Sequence, residues 1–138
     1  LPAAGPVSDT AAMIAGMAPV RRAGSFVYCT TADAELAARL APEALALVRE
    51  DEGVTLVLPA GRAAAEGFDT GLAMACLTLT VASALDGVGL TAAVAGALAA
   101  EGIPCNVIAG FHHDHVLVPE PMAGRALAAL AARAASAG

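Results

Sequence analysis

The sequence has no lysine and no tryptophan, one tyrosine, three phenylalanines and three cysteines. Its seven cationic side chains are all arginine and stand against thirteen acidic ones, for a formal net charge of −6. A surface that tracks a phosphate backbone needs clustered cations, and only Arg21 and Arg22 are adjacent, so nucleic acid is not an expected partner. An acidic membrane surface is disfavoured for the same reason. Cys29, Cys76 and Cys105 are odd in number, lack paired metal spacing and fall in apolar strand patterns. They read as reduced packing residues of a cytoplasmic protein. Leu1 to Thr10 has neither a basic region nor a long apolar stretch, so no secretory signal is expected there. A Gly-x-Ser-x-Gly elbow is missing, no cysteine carries a nucleophile motif, and paired carboxylates are absent from the apolar strands.

What is abundant is apolar residue, at 58% of the chain with a mean hydropathy of +0.71. Residues 70–85 carry no charge, and neither do residues 87–100. A membrane span is nonetheless rejected, because Asp86 divides the two halves, the first half alternates as a strand, and alanine, glycine and threonine supply much of the hydropathy. At 138 residues the chain can form one compact domain or two small ones.

The stretch from Cys76 to Pro119 organises the rest. Cys76 to Ala82 alternates apolar and hydroxylated residues, predicting a strand. Asp86-Gly87-Val88-Gly89 then breaks it, and two glycines within three residues let backbone N–H groups approach a ligand. Leu90, Val94 and Leu98 recur every fourth residue among alanines, predicting a helix that Gly102 ends. A strand is expected over Ile103 to Gly110, a turn at Phe111-His112-His113-Asp114-His115, a return strand at Val116 to Val118 and a last helix from Pro121. The element order is βαββα.

The first half repeats that order. A short capped helix is predicted from Asp9 to Met17, a strand at Phe26 to Thr31 and a helix at Ala34 to Leu40. A hairpin follows, with Ala44 to Glu50 against Val54 to Leu58, and then a short helix at Arg62 to Glu66. Arg21-Arg22 reads as a solvated pair before a strand. Thr55-Leu56-Val57-Leu58-Pro59 is echoed by His115-Val116-Leu117-Val118-Pro119 sixty positions later. The expected class is therefore α+β and ferredoxin-like, with two βαββα units, antiparallel sheets and helices on one face. The units are placed at residues 1–70, including the leading helix, and 71–138.

Gly87-Val88-Gly89-Leu90-Thr91 leading into a helix, Glu101-Gly102-Ile103, and the run from Asn106 to Pro119 together resemble the ACT domain, a small βαββαβ regulatory module. The chain is similar to bacterial short tandem-ACT proteins, to the ACT pairs of aspartate kinases and to cytosolic arginine sensors. The resemblance covers roughly residues 9 to 132 and implies a non-catalytic, regulatory, amino-acid-binding protein that pairs as a homodimer. It implies a ligand where the first loop of one unit meets a partner unit. On this reading Asp86, Gly87, Val88, Gly89 and Leu90 form the ligand loop, and Asn106, Gly110, His113, Asp114 and His115 contribute from the hairpin. Asp114 matches an aspartate that faces the ligand in the arginine sensors. The resemblance also leads one to expect a final strand in each unit, which the sequence does not show.

The histidine cluster carries three readings from its residues alone. It can be hydrogen bonding within the hairpin, or ligand recognition with Asp114 pairing an ammonium or guanidinium group. Alternatively, His113 and His115, two apart on one strand face, can chelate a metal, which would make the protein a metal-dependent hydrolase. A ligand-free dimerisation module is the remaining alternative. No cofactor is implied.

Overall fold

A computed structural model describes residues 9–137; residues 1–8, where most of the expected absence of a leader falls, lie outside the described residues. In chain order the elements are α1 (Thr10–Ala15), β1 (Pro19–Arg21), β2 (Phe26–Thr31), α2 (Ala34–Leu40), β3 (Ala46–Glu50), β4 (Gly53–Pro59), α3 (Ala60–Ala65), β5 (Met74–Leu79), α4 (Leu90–Ala100), β6 (Asn106–Ala109), β7 (Asp114–Pro119) and α5 (Ala123–Ala135). Single 3₁₀ turns, Ala41–Glu43 and Glu120–Met122, precede β3 and α5. The class is α+β, and the order β-α-β-β-α occurs twice, from β2 to α3 and from β5 to α5.

The chain forms two compact units, one of residues 23–74, the other joining the segment that ends at Arg22 to the segment that starts at Ala75. In the first, β4 is central, antiparallel to both β2 and β3. Val27 and Cys29 of β2 lie opposite Leu58 and Leu56, and these four pack on Ala37 and Leu40 of α2 and Ala63 of α3. Asp33 starts α2 by accepting the N–H groups of Glu35 and Leu36 at 3.0 and 3.2 Å, two of the donors a helix start leaves open. The alanine–leucine stretch read as the first hairpin strand is β3, with Leu47 opposite Leu56 and Val48 opposite Thr55. Glu66 ties α2 to α3, accepting from Arg39 at 2.8 Å and Arg62 at 2.7 Å.

In the second unit β5 lies between β1 and β7, and β7 pairs with β6. Leu77 and Leu79 of β5 and Val116 and Val118 of β7 form one apolar face. Against it pack Met13 and Ile14 of α1, Val94 and Leu98 of α4, and Ala126 and Leu130 of α5. The helix spacing at Leu90, Val94 and Leu98 thus places all three in the core, each at most 5% exposed.

Three expected boundaries move, for local reasons. The strand predicted to reach Ala82 stops at Leu79, because the Thr80 N–H donates to the Met17 carbonyl at 2.8 Å instead of a ladder. The strand predicted from Ile103 starts at Asn106, since the Ile103 N–H closes the end of α4 on Leu98 and Pro104 has no N–H to give. The return strand starts at Asp114, not Val116, because Asp114 and His115 pair with Ala109 and Ile108. Arg21 is in a strand of its own: Pro19, Val20 and Arg21 of β1 run antiparallel to Leu79, Thr78 and Leu77. This short strand supplies the β5 edge where an ACT unit would carry its last strand.

Candidate ligand-binding site

The glycine loop, Asp86 to Gly89, follows a short irregular stretch after β5 and leads into α4. Its first turn is closed by the Gly87 N–H, which donates to the Ala84 carbonyl at 3.0 Å. That donor is therefore engaged within the protein. At Gly89 the backbone takes φ of +106°, a region that L side chains rarely adopt, and α4 begins at the next residue. No side chain caps α4, so the N–H groups of its first turn are available to an acceptor from outside the helix.

Helix α1 holds the loop from above. Its Thr10 hydroxyl donates to the Val88 carbonyl, and a Cβ at Gly89 would lie 2.7 Å from the Thr10 methyl. A Cβ at Gly87 would lie 3.0 Å from the Met13 sulfur. Gly89 is required by its backbone and by the closeness of this helix, and Gly87 leaves only tight room for a side chain, a signal that the bare sequence does not contain.

Asp114 opens β7 on its core-facing side and is 8% exposed. Its Oδ2 accepts from the Ser83 hydroxyl at 3.3 Å. Among the described residues no donor meets Oδ1, and none of their side-chain oxygens is both sealed from solvent and unpartnered. Oδ1 therefore faces open space. Asp114 lines a cavity of about 150 Å³ within the second unit, together with Gly87, Gly89, Leu90, Thr91 and, from α1, Met13. Ser83, Ala84, Leu85 and Ala109 complete the wall.

Of the expected ligand residues, the cavity brings together Gly87, Gly89, Leu90 and Asp114. Val88 and Asp86 belong to the same loop but are exposed, Val88 at 76%. Asn106 sits at the far end of β6, exposed and opposite Leu117. Gly110 closes the hairpin by donating to the His113 carbonyl at 2.9 Å. His115 faces away from the cavity: its Nδ1 lies 2.9 Å from the Thr78 hydroxyl, on the opposite side of β7 from Asp114. Burial pushes the His115 imidazole below its usual range, aided by the positive charge of Arg22 and by His113, against the opposing pull of Asp114. Among the described residues no three His, Cys, Asp or Glu side chains converge as a metal site. Met13, Ser83 and Thr91 were not legible as lining residues, because nothing in their local pattern marks them.

Two ACT domains match the chain in tandem, one over residues 6–75 and the other over residues 73–132. The chain belongs to the ACT-domain family, whose members are typically regulatory, ligand-binding modules. Among solved structures it is similar to a Vibrio cholerae protein of unknown function, described as a possible transport protein, at 45% identity and a TM-score of 0.77. That likeness covers 86% of this chain and 90% of the other. The regulatory subunit of aspartate kinase from Thermus flavus shares the fold at 13% identity and a TM-score of 0.55, over 82% of this chain and 94% of its own. A protein from Agrobacterium tumefaciens does so at 20% and 0.57, over 80% and 84%. No curated protein matches the sequence. Among the described residues no helix is long and apolar enough to cross a membrane.

Proposed function

We propose that this chain is a non-catalytic regulatory protein that senses a free amino acid in the cavity beside the glycine loop. The carrying observation is the pairing of opposite chemistries in one small space. The first turn of α4 offers unpaired N–H groups and the positive end of a helix dipole, suited to a carboxylate. Across the cavity, Asp114 Oδ1 suits an ammonium group. A zwitterion satisfies both at once. The cavity, about 150 Å³, is smaller than the roughly 300–1,000 Å³ of pockets for drug-sized ligands, which favours a small metabolite over a nucleotide cofactor.

As sequence repeats the limits are taken as residues 1–70 and 71–138, with the segment before Ala23 packing on the second, and the working form is taken as a cytoplasmic homodimer, as the ACT resemblance implies. Ligand regulates by favouring one packing arrangement over another, which requires different affinities for the two.

The test is a thermal-shift panel of the common amino acids. An amino acid at a hundred times its dissociation constant adds about 2.7 kcal/mol of stability. The response should vanish in Asp114→Asn while the far-ultraviolet circular dichroism stays unchanged. Silence of the folded wild-type protein across the whole panel overturns the proposal.

A further inference from the structure

We propose that the cavity selects amino acids with small, uncharged side chains, and that Met13 of α1 is the residue that sets the size limit. The inference rests on the amino-acid reading above and adds which amino acids and which residue decides.

Size comes first. An apolar cavity of about 150 Å³ in another protein holds benzene, about six heavy atoms. This cavity, open to solvent on the Leu85 side, has a similar volume. Alanine matches that count, glycine falls just below it and serine just above. Leucine, methionine and arginine exceed it by half or more.

Charge comes second. The lining contains one ionisable group, Asp114, and no arginine or histidine. A ligand ammonium group meets that carboxyl, and a second, acidic group would find no counter-charge while sharing the space with Asp114. A cationic side chain would compete with the α-ammonium group for the single carboxylate.

Position comes third. The ammonium and carboxylate ends are fixed by Asp114 and by the start of α4, so the side chain turns to what remains of the wall. Met13 is 1% exposed and Leu90 5% exposed, whereas Leu85 on the same wall is 68% exposed. Met13 and Leu90 thus form the buried apolar part of the wall. Leu90 is the first residue of α4 and cannot be withdrawn without moving the carboxylate site. Met13 comes from a different element, with its sulfur held near Gly87, and it is the unbranched side chain whose length decides how deep that part extends. It touches the ligand's side chain but neither of its charged groups.

Isothermal titration of wild-type protein, Met13→Leu, Met13→Val and Met13→Ala with glycine, alanine, serine, leucine, methionine and arginine tests this. The wild type should bind the best of the first three at least tenfold more tightly than leucine, methionine or arginine. Met13→Leu, close in volume, should keep that ranking. Met13→Ala should tighten leucine or methionine at least tenfold relative to alanine, with Met13→Val between. If truncation at this core position unfolds Met13→Ala, the valine variant carries the comparison. An unchanged ranking in the folded truncations, or a wild type that prefers a large or charged side chain, overturns this inference and leaves the amino-acid reading standing. A folded wild type that binds none of the common amino acids overturns both.

Discussion

At the scale of single residues, the two neighbours Asp114 and His115 divide the work of their strand. Alternation along β7 sends the carboxyl to the cavity and the imidazole to the other face. The histidine gives a pH dependence. Its imidazole titrates below the ordinary value when folded, so between the two values the unfolded chain binds more protons. The contribution of His115 is therefore complete above the usual histidine range and is lost as pH falls toward the folded value. Urea midpoints should drop between pH 7.5 and pH 5.5, and His115→Gln should flatten that slope. A slope that is unchanged in the variant would assign it to other groups.

The polar cluster at residues 112–115 was visible in the sequence because charged and aromatic nitrogen groups are scarce in that apolar half. Which of its members lines a cavity was not. Asn106 has the same local credentials as Asp114, yet it lies at the opposite end of the β6–β7 hairpin, a distance that only the register reveals. Likewise Ser83 and Met13 are ordinary residues until the fold brings them beside Asp114.

At the scale of elements, periodic segments were readable and short ones were not. The fourfold spacing of α4 reports burial on one side of a helix, and the short apolar runs of β2 and β4, with Leu56, Val57 and Leu58 all buried, report strands covered on both faces; both are properties of neighbours in sequence. Strand β1 is three residues long and contains a proline, too short to show any period; only its pairing with Leu77, Thr78 and Leu79 makes it a strand. The same holds for the contact between α1 and the glycine loop. Gly89→Ala should cost about 1–3 kcal/mol in urea unfolding, from the positive φ and from the clash with the Thr10 methyl. Adding Thr10→Ser, which removes that methyl and keeps the hydroxyl donor to Val88, should recover part of the loss. If the double variant is no better than the single, the strain is in the backbone alone.

Helices α2 and α3 offer a contrasting case. Hydrogen bonding to Arg39, helped by Arg62, holds the Glu66 carboxyl below its usual range. The stabilisation is present above the ordinary carboxylate range and lost as pH falls through the lowered value. Because these groups meet water, Glu66→Gln should lower the melting temperature slightly in dilute buffer, with the difference fading in 1 M salt.

For the whole molecule, the inclusion of α1 and β1 with residues from 75 onward makes that unit discontinuous in sequence. A fragment of residues 71–138 should lack the cover that Met13 and Ile14 give its helices and should show poor amide dispersion by NMR. Joining residues 9–22 to its end through a flexible linker should restore a dispersed spectrum. A well-dispersed spectrum from the bare fragment would contradict this packing. The proposed homodimer is checked by sedimentation velocity, where a single monomeric species at tens of micromolar would exclude it.

The discontinuity also reaches back to synthesis. At roughly 5–20 residues per second, translation leaves α1 and β1 waiting about 6–23 s for the chain from β5 to α5 to emerge. During that interval Met13, Ile14 and Met17, each at most 5% exposed in the finished protein, have no native surface to cover them. This early-made segment is thus among the last parts of the unit to find its place, and its greasy stripe gives a ribosome-associated chaperone a long opportunity to bind.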